Sequence, residues 1–344
     1  MQYNTLDRGA VTKSLATGAF KPHLYLTNVS TAFFQDPSLS VHDKVFPRVP
    51  VQLSVGNYYI FSREDLARDN MQRKPEFGKV TPAVMGLETG MYECAVDQII
   101  VGIDQIQSLN YERMRAPGAA DPRKAKVRFA TEQANLHLDL MFSKNFFKSG
   151  IWTNEYSGVS ATPSGKQFYQ FDNANSDPIK LVHSLKYEML RSGRRMPNKI
   201  ALGAETFAAL IEHPAIIERV KSGGSTANPA VANEKVLAEL FGVEQVTQLL
   251  STYNSADFGE EENMQFVCDP KGMLLTYSPN APAIDEPSAG YTFTWDMLGG
   301  GHPMVFSQWL GENGTHTEFI EGLCGYDMKK TCDELGIYLK DCVA

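Results

Sequence analysis

The sequence predicts an α+β fold, with helices and antiparallel strands in separate runs instead of a regular βαβ wind. Three observations carry that reading. Residues 121–147 hold one long helical pattern. Residues 46–103 hold β segments on either side of a dense run of mixed charge. After residue 301 the chain closes in four strand candidates.

The bulk numbers bound the classes. The chain has 344 residues, enough for two domains or one elaborate one. Hydrophobic content of 43% and charged content of 21% suit a packed core. A net charge of −8 argues against a tight grip on nucleic acid, which needs a basic face. No apolar run is long enough to span a bilayer, so no membrane partner is expected. The first residues lack the apolar core of a signal peptide, which points to a cytoplasmic setting. The cysteines are Cys94, Cys268, Cys324, Cys332 and Cys342, an odd number with no Cys-x-x-Cys pair. They read as reduced structural thiols, not zinc ligands. The spacing of Cys324, Cys332 and Cys342 suits adjacent strands.

In chain order, residues 1–45 are weakly patterned, with short apolar pieces at Leu24–Leu26 and Phe33-Phe34. They read as an extended arm with at least one docking point. From Phe46, the residues Val49, Val51, Leu53 and Val55 alternate with polar ones and with Pro50. That is a period-2 strand whose start, marked by Pro47 and Pro50, belongs at a sheet edge. Gly56-Asn57 invites a turn or bulge, and Tyr58–Phe61 resume β character. Charge is dense over Arg63, Glu64, Asp65, Arg68, Asp69, Arg73, Lys74, Glu76 and Lys79. Apolar pattern returns at Val80–Met85 and again at Met91–Ile103. Residues 48–103 therefore read as a long β-hairpin with a charged tip. An interval of that length is uncommon inside a compact domain, so the tip is expected to project toward a partner.

Residues 104–117 lead into the long helix. Asp121 is a good N-cap and Pro122 suits the first helical position. Val127, Ala130, Ala134, Leu138 and Met141 recur on one face. Lys144 and Lys148 favour the C-terminal end, and Gly150 supplies a stop. At about 1.5 Å per residue this helix would be about 40 Å long.

Residues 152–175 read as an irregular loop. Asp177-Pro178 repeats the cap, and a helix follows to Gly193 with Ile179, Val182, Leu185, Met189 and Leu190. Lys199–Gly203 reads as a strand and Glu205–Glu212 as a helix closed at His213-Pro214. Residues 215–221 continue helical, and Ser222–Asn228 form a loop. Asn233 caps a helix stopped by Gly242. Val246–Leu250, Met264–Cys268, Met273–Tyr277 and Tyr291–Trp295 are strand candidates, and Ser251–Asn263 is a polar loop ending in Glu260-Glu261-Glu262. Gly299-Gly300-Gly301 marks a hinge or tight crossing. The closing strands are Met304–Leu310, Thr315–Ile320, Tyr326–Lys330 and Gly336–Cys342.

Familiar chemistry is missing from the pattern. Residues 161–167 resemble a phosphate loop, but Ser160 and Gln167 stand where glycine and Ser/Thr are needed. Neither a Gly-x-Ser-x-Gly elbow nor a His-Glu-x-x-His motif occurs. His23, His42, His137, His183, His213, His302 and His316 are scattered and read as helix-end or surface residues. No catalytic residue, cofactor site or metal site is assigned. The three consecutive glutamates read as a solvated loop, with a cation site the lesser alternative.

The order of elements carries more information. A weak arm leads to Lys44-Val45-Phe46-Pro47-Arg48-Val49-Pro50-Val51, then to Tyr58-Tyr59-Ile60-Phe61 and Arg63-Glu64-Asp65-Leu66. Further on come Pro197-Asn198-Lys199-Ile200-Ala201-Leu202-Gly203, with Phe207 and Leu210, and Leu240-Phe241-Gly242-Val243. In this order and pattern the chain resembles the major capsid proteins of tailed bacteriophages, with the Hong Kong-97 fold. The resemblance implies an N-terminal arm at 1–47 and an extended loop at 48–103. It implies a peripheral domain with a spine helix at 104–176, an axial domain at 177–300 and returning peripheral strands at 301–344. It also implies a virion protein assembled in the host cytoplasm as hexamers and pentamers of an icosahedral shell. The packaged DNA would be enclosed without sequence-specific contacts.

A portal and a separate scaffolding protein are the implied partners, since the segment before the Phe-Pro strand is short. The charged residues 63–79 become candidates for inter-subunit contact. Some members join subunits through a Lys–Asn isopeptide bond. Lys74 or Lys79 could supply the amine and Asn313 the amide, but the full triad is not matched here and no cross-link is assigned. Two other readings stay open. One is the shell of an encapsulin-type bacterial compartment, and the other is a soluble α/β enzyme.

Overall fold

A computed structural model describes residues 40–61, 69–82, 87–105, 122–223, 233–257, 259–282, 286–297, 303–312 and 316–344. Its centre is a single 25-residue helix, α1 (Pro122–Phe146). Pro122 opens it, where a missing N–H costs nothing. Asp121, the expected cap, lies outside the described residues. Gly150 takes the left-handed conformation, φ +88°, just beyond the end. Val127, Ala130, Ala134 and Leu138 are buried as the spacing predicts. Phe142 and Phe146 complete the buried seam, while Met141 is only half-buried, so the seam follows the 3.6-residue drift to 142. Each large apolar side chain on it contributes about 1.5–3 kcal/mol of burial.

The helix has no acidic residue in its first turn, so the dipole is left to a distant group. Arg123 donates from Nε and Nη2 to both oxygens of buried Glu318, at 3.0–3.3 Å. A bidentate pair of this kind fixes direction as well as distance.

One layer against α1 is a five-stranded sheet. It contains β1 (Arg48–Val51), β4 (Ala95–Asp104), β12 (Gly290–Trp295), β13 (Val305–Leu310) and β14 (Thr317–Lys330). β4 and β13 pair antiparallel with the same stretch of β14 and so flank it. β12 pairs with the far end of β14, and β1 runs parallel to β12 at the edge where its prolines belong.

Among the described residues, strands β2 (Val55–Phe61) and β3 (Leu87–Glu93) pair only with each other. The hairpin proper is therefore 55–93, narrower than the expected 48–103. The flanking strands on either side are taken up by the body sheet, whose long-range pairing no local pattern announces.

The second layer is a six-stranded mixed sheet in the order β6-β5-β15-β11-β7-β8. Its members are β5 (Glu155–Val159), β6 (Gln167–Tyr169), β7 (Lys199–Gly203), β8 (Gln245–Leu249), β11 (Met273–Thr276) and β15 (Gly336–Lys340). Its faces alternate strictly. Ala201, Leu274 and Tyr338 join the core beneath α1. Ile200, Leu202, Met273, Leu275, Ile337 and Leu339 join a second core. That core is closed by α2 (Pro178–Gly193), α3 (Ala204–Glu212), α4 (Pro214–Gly223) and α5 (Glu234–Phe241). The caps are where the sequence placed them. Asp177 accepts from the Lys180 N–H, Asn233 accepts from the Val236 N–H, and Gly242 is left-handed.

Several expectations are corrected. Residues 152–175 are not wholly irregular, since β5 and β6 lie within them. The polar loop 251–263 contains β9 (Thr252–Asn254), which pairs with β10 (Met264–Phe266). Thr315–Ile320 and Tyr326–Lys330 are one 14-residue strand, β14. Gly322 and Gly325 lie within that strand at points of crowding. A Cβ on Gly322 would strike the Met304 side chain, and one on Gly325 would press on Trp295. The last strand, β15, belongs to the six-stranded sheet, and the return to the five-stranded sheet starts at Gly290, before 301. Of the three clustered cysteines only Cys324 lies in a strand, and Cys332 and Cys342 follow β14 and β15. The expected loop 222–228 is corrected at its start, since Ser222 and Gly223 end α4, and its residues 224–228 lie outside the described residues, as does the glycine run 299–301.

Candidate functional site

Three local arrangements hold the polar side chains with most of the chemistry. The first joins the start of the described chain to α1. Asp139 Oδ1 accepts from the backbone N–H of Val41 at 2.9 Å, the N–H of His42 at 3.0 Å and the Ser40 hydroxyl at 3.1 Å. It also lies 2.8 Å from His42 Nδ1. On the other side of the ring, Arg48 Nη2 is 2.8 Å from His42 Nε2. Arginine can only donate, so Nε2 is the acceptor and the proton sits on Nδ1, facing Asp139. Burial alone would raise the Asp139 carboxyl. Hydrogen bonds from the His42 ring and the Val41 N–H outweigh it and hold the group below the usual carboxylate range.

The same junction continues one turn on. The Val45 carbonyl accepts from Lys199 Nζ at 3.1 Å and Ser278 Oγ at 2.6 Å. Phe46 is fully buried, with ring centroids 4.4 Å from Phe146 and 6.2 Å from Phe142. His42 is 1% exposed, which corrects its reading as a surface or helix-end residue. The sequence did hold a signal for this site. Asp139 is the one charge within Leu136–Phe142, a run otherwise apolar except for His137, and a buried carboxylate needs partners.

The second arrangement is a cavity of about 250 Å³ between α1 and the five-stranded sheet. His137 Nε2 lies 2.7 Å from the Tyr326 hydroxyl and 3.3 Å from Asp97 Oδ2. Burial would raise Asp97, but hydrogen bonds from His137 and Tyr326 lower it on balance. Cys324 lines the same cavity, and burial, with the Asp97 charge, pushes its thiol up to about 12. A thiol at that value is not a nucleophile at neutral pH. Burial likewise raises Cys268, Cys332 and Cys342. Among the described residues no group of three His, Cys, Asp or Glu side chains could hold a metal ion. No helix among them is long and apolar enough to cross a membrane.

The third arrangement is the hairpin. Its base is built from tyrosines lying over glycines. Gly56 sits opposite Tyr92, and Gly90 sits opposite Tyr58. A Cβ at either glycine would collide with the facing ring. Both rings continue onto Phe293 of β12, at 4.6 Å from Tyr92 and 5.3 Å from Tyr58. The Glu93 N–H donates to Asp327 at 2.8 Å and the Trp295 indole to the Gln52 carbonyl at 3.1 Å. The base is thus fixed to the body.

Of the residues expected at the tip, Asp69, Arg73, Lys74, Glu76 and Lys79 are exposed to solvent. Arg63, Glu64, Asp65 and Arg68 lie outside the described residues, as does Asn313. Within the tip, Pro75–Gly78 form a turn, with the Gly78 N–H 3.1 Å from the Pro75 carbonyl and Phe77 at φ +60°. Phe77 is 100% exposed and Met71 90% exposed.

No protein-family model matches the chain, and no curated protein matches it. Solved structures do. A phage-related protein from Bordetella bronchiseptica RB50 aligns over 94% of this chain and 98% of its own, at 18% identity and a TM-score of 0.69. The putative capsid protein of a prophage of E. coli CFT073 aligns over 93% and 99%, at 10% identity and a TM-score of 0.52. The mature capsid of bacteriophage PhiM1 supplies a chain aligned over 88% and 87%, at 11% identity and a TM-score of 0.52. At these identities the likeness is one of fold. The mixed helix-and-strand fold of this chain is that of phage capsid proteins.

Proposed function

We propose that the chain is a structural subunit of a phage head, a major capsid protein that tiles an icosahedral shell as hexamers and pentamers around double-stranded DNA. The observation that carries this is the likeness to phage capsid and phage-related folds over nearly the whole of both chains. In the Hong Kong-97 scheme, α1 and the five-stranded sheet would form the peripheral domain, with α1 as its spine. The six-stranded sheet and its four helices would form the axial domain. Residues 1–47 would be the arm and the hairpin the extended loop.

The physics supports the same role. A shell subunit needs several moderate interfaces, and appendages supply area without enlarging the core. Mixed charge on the tip suits contacts that select register and orientation more than raw affinity. A separate scaffolding protein and a portal would complete the assembly line in the host cytoplasm. The net charge of −8 limits adhesion of the shell to the packaged DNA.

Electron microscopy of the purified protein tests the reading, which expects closed particles or capsomer rings. Deleting residues 64–86 should leave a folded, soluble subunit that forms no normal shells. Normal icosahedral particles from that deletion would remove the hairpin from its role. A monodisperse monomer from the intact chain, under all assembly conditions, would remove the shell reading itself.

A further inference from the structure

We infer that the loop tip carries an apolar plug and the hairpin base an apolar socket, and that the plug of one copy fills the socket of the next. This deepens the shell reading and rests on it for the presence of many copies. The plug is Phe77 with Met71. Both side chains stand in solvent, and Phe77 is held at the apex of the Pro75–Gly78 turn by a left-handed backbone rare for an aromatic. A fully exposed phenylalanine adds nothing to the core of its own subunit.

The socket is a groove of about 540 Å³ where the hairpin leaves the body. Val51, Ile60, Tyr58, Tyr92, Tyr291 and Pro287 form its walls. Its size and its aromatic, apolar lining match the sites that take anchor side chains. The plug of the same subunit does not fill it, because Phe77 is fully exposed. Among the described residues, every copy therefore brings one exposed plug and one open socket. Contacts of that kind are head-to-tail, and they close into rings when the rotation allows.

Charge favours the same pairing. Arg73, Lys74 and Lys79 outnumber Asp69 and Glu76 beside the plug, and Glu286 is the carboxylate that lines the socket. Glu286 is held in place there by the Tyr277 hydroxyl at 2.6 Å.

The test uses the full chain with Phe77 replaced by the photo-crosslinker benzoylphenylalanine. After irradiation, mass spectrometry should find adducts between chains, on peptides containing Tyr58 and Ile60 or Tyr291. Adducts confined to one chain, or mapping elsewhere, would overturn the inference. Two folded variants give a second readout. Phe77→Ser removes the plug, and Asn57→Trp fills the socket from an exposed lining position. Each should weaken the association constant about 30-fold, the loss expected of an anchor aromatic. Unchanged association in both would also overturn it. The two readings fail separately. Groove adducts without closed particles would leave the plug and sink the shell, while normal shells without groove adducts would do the reverse.

Discussion

The segment Ser40–Arg48 and the loop Asp69–Pro82 are alike in sequence, short on regular structure and rich in polar residues. The structure treats them in opposite ways. In the first, Asp139 accepts four hydrogen bonds and Phe46 lies wholly in the aromatic core of α1. In the second, the charged side chains from Asp69 to Lys79 face solvent. Buried polar groups are affordable only when each finds a partner. So one segment is completed within the subunit, and the described charged residues of the other stay in solvent. Mutations should separate the two cleanly, into effects on folding and effects on association.

The largest effect should come from the helix to which the junction is tied. Ala134 lies on the buried seam of α1, twelve residues into the helix. Ala134→Pro removes a backbone hydrogen bond and clashes with the preceding turn, at about 3 kcal/mol or more. Loss of native circular dichroism and of a cooperative melt is expected. A native melt would show that α1 is not the element on which the first core rests.

The next effect tests the junction itself. Asp139→Ala leaves two backbone N–H groups and the His42 ring without their acceptor, in a site where Asp139 is 2% exposed. Breaking a buried pair in this way costs about 3–5 kcal/mol. The pH dependence has a definite sign. The folded Asp139 carboxyl is held below its ordinary value of about 3.9. Its contribution is therefore complete above that value and is lost as pH falls through the lower, folded one. Denaturant melts of the wild type and Asp139→Asn should differ at pH 7 and converge toward pH 2. A constant difference across that range would mean that charge plays no part.

What the sequence made legible follows from range. The caps at Asp177, Asn233 and Gly242 are local chemistry, and they stand where the pattern put them. The α1 seam was read correctly up to Leu138 and drifted at Met141, where one more residue of helical twist selects Phe142. Strand membership was harder. β1 pairs with β12 across more than two hundred residues, and β15 pairs with β5 and β11. Nothing in a period-2 pattern names the partner strand. His42 was misread for the same reason, since its environment is built by Asp139, 97 residues away. The gap expected between Thr315–Ile320 and Tyr326–Lys330 is also filled by strand, and Gly322 and Gly325 make room there for Met304 and Trp295.

The smallest expected effect on folding sharpens the comparison most. Replacing Arg73, Lys74 and Lys79 together by alanine touches exposed side chains. Surface changes of this kind seldom alter stability, so the melting temperature should stay within about 2 °C of the wild type. Association should change instead. Charged rims act mainly on the rate and orientation of encounter, and that action is screened by salt. Light scattering at low ionic strength should show slower assembly than the wild type, and the gap should close as salt is raised. A large fall in melting temperature would mean that the tip is folded against its own subunit. Equal assembly rates at low and high salt would leave the basic residues beside Phe77 no part in guiding one copy onto the next.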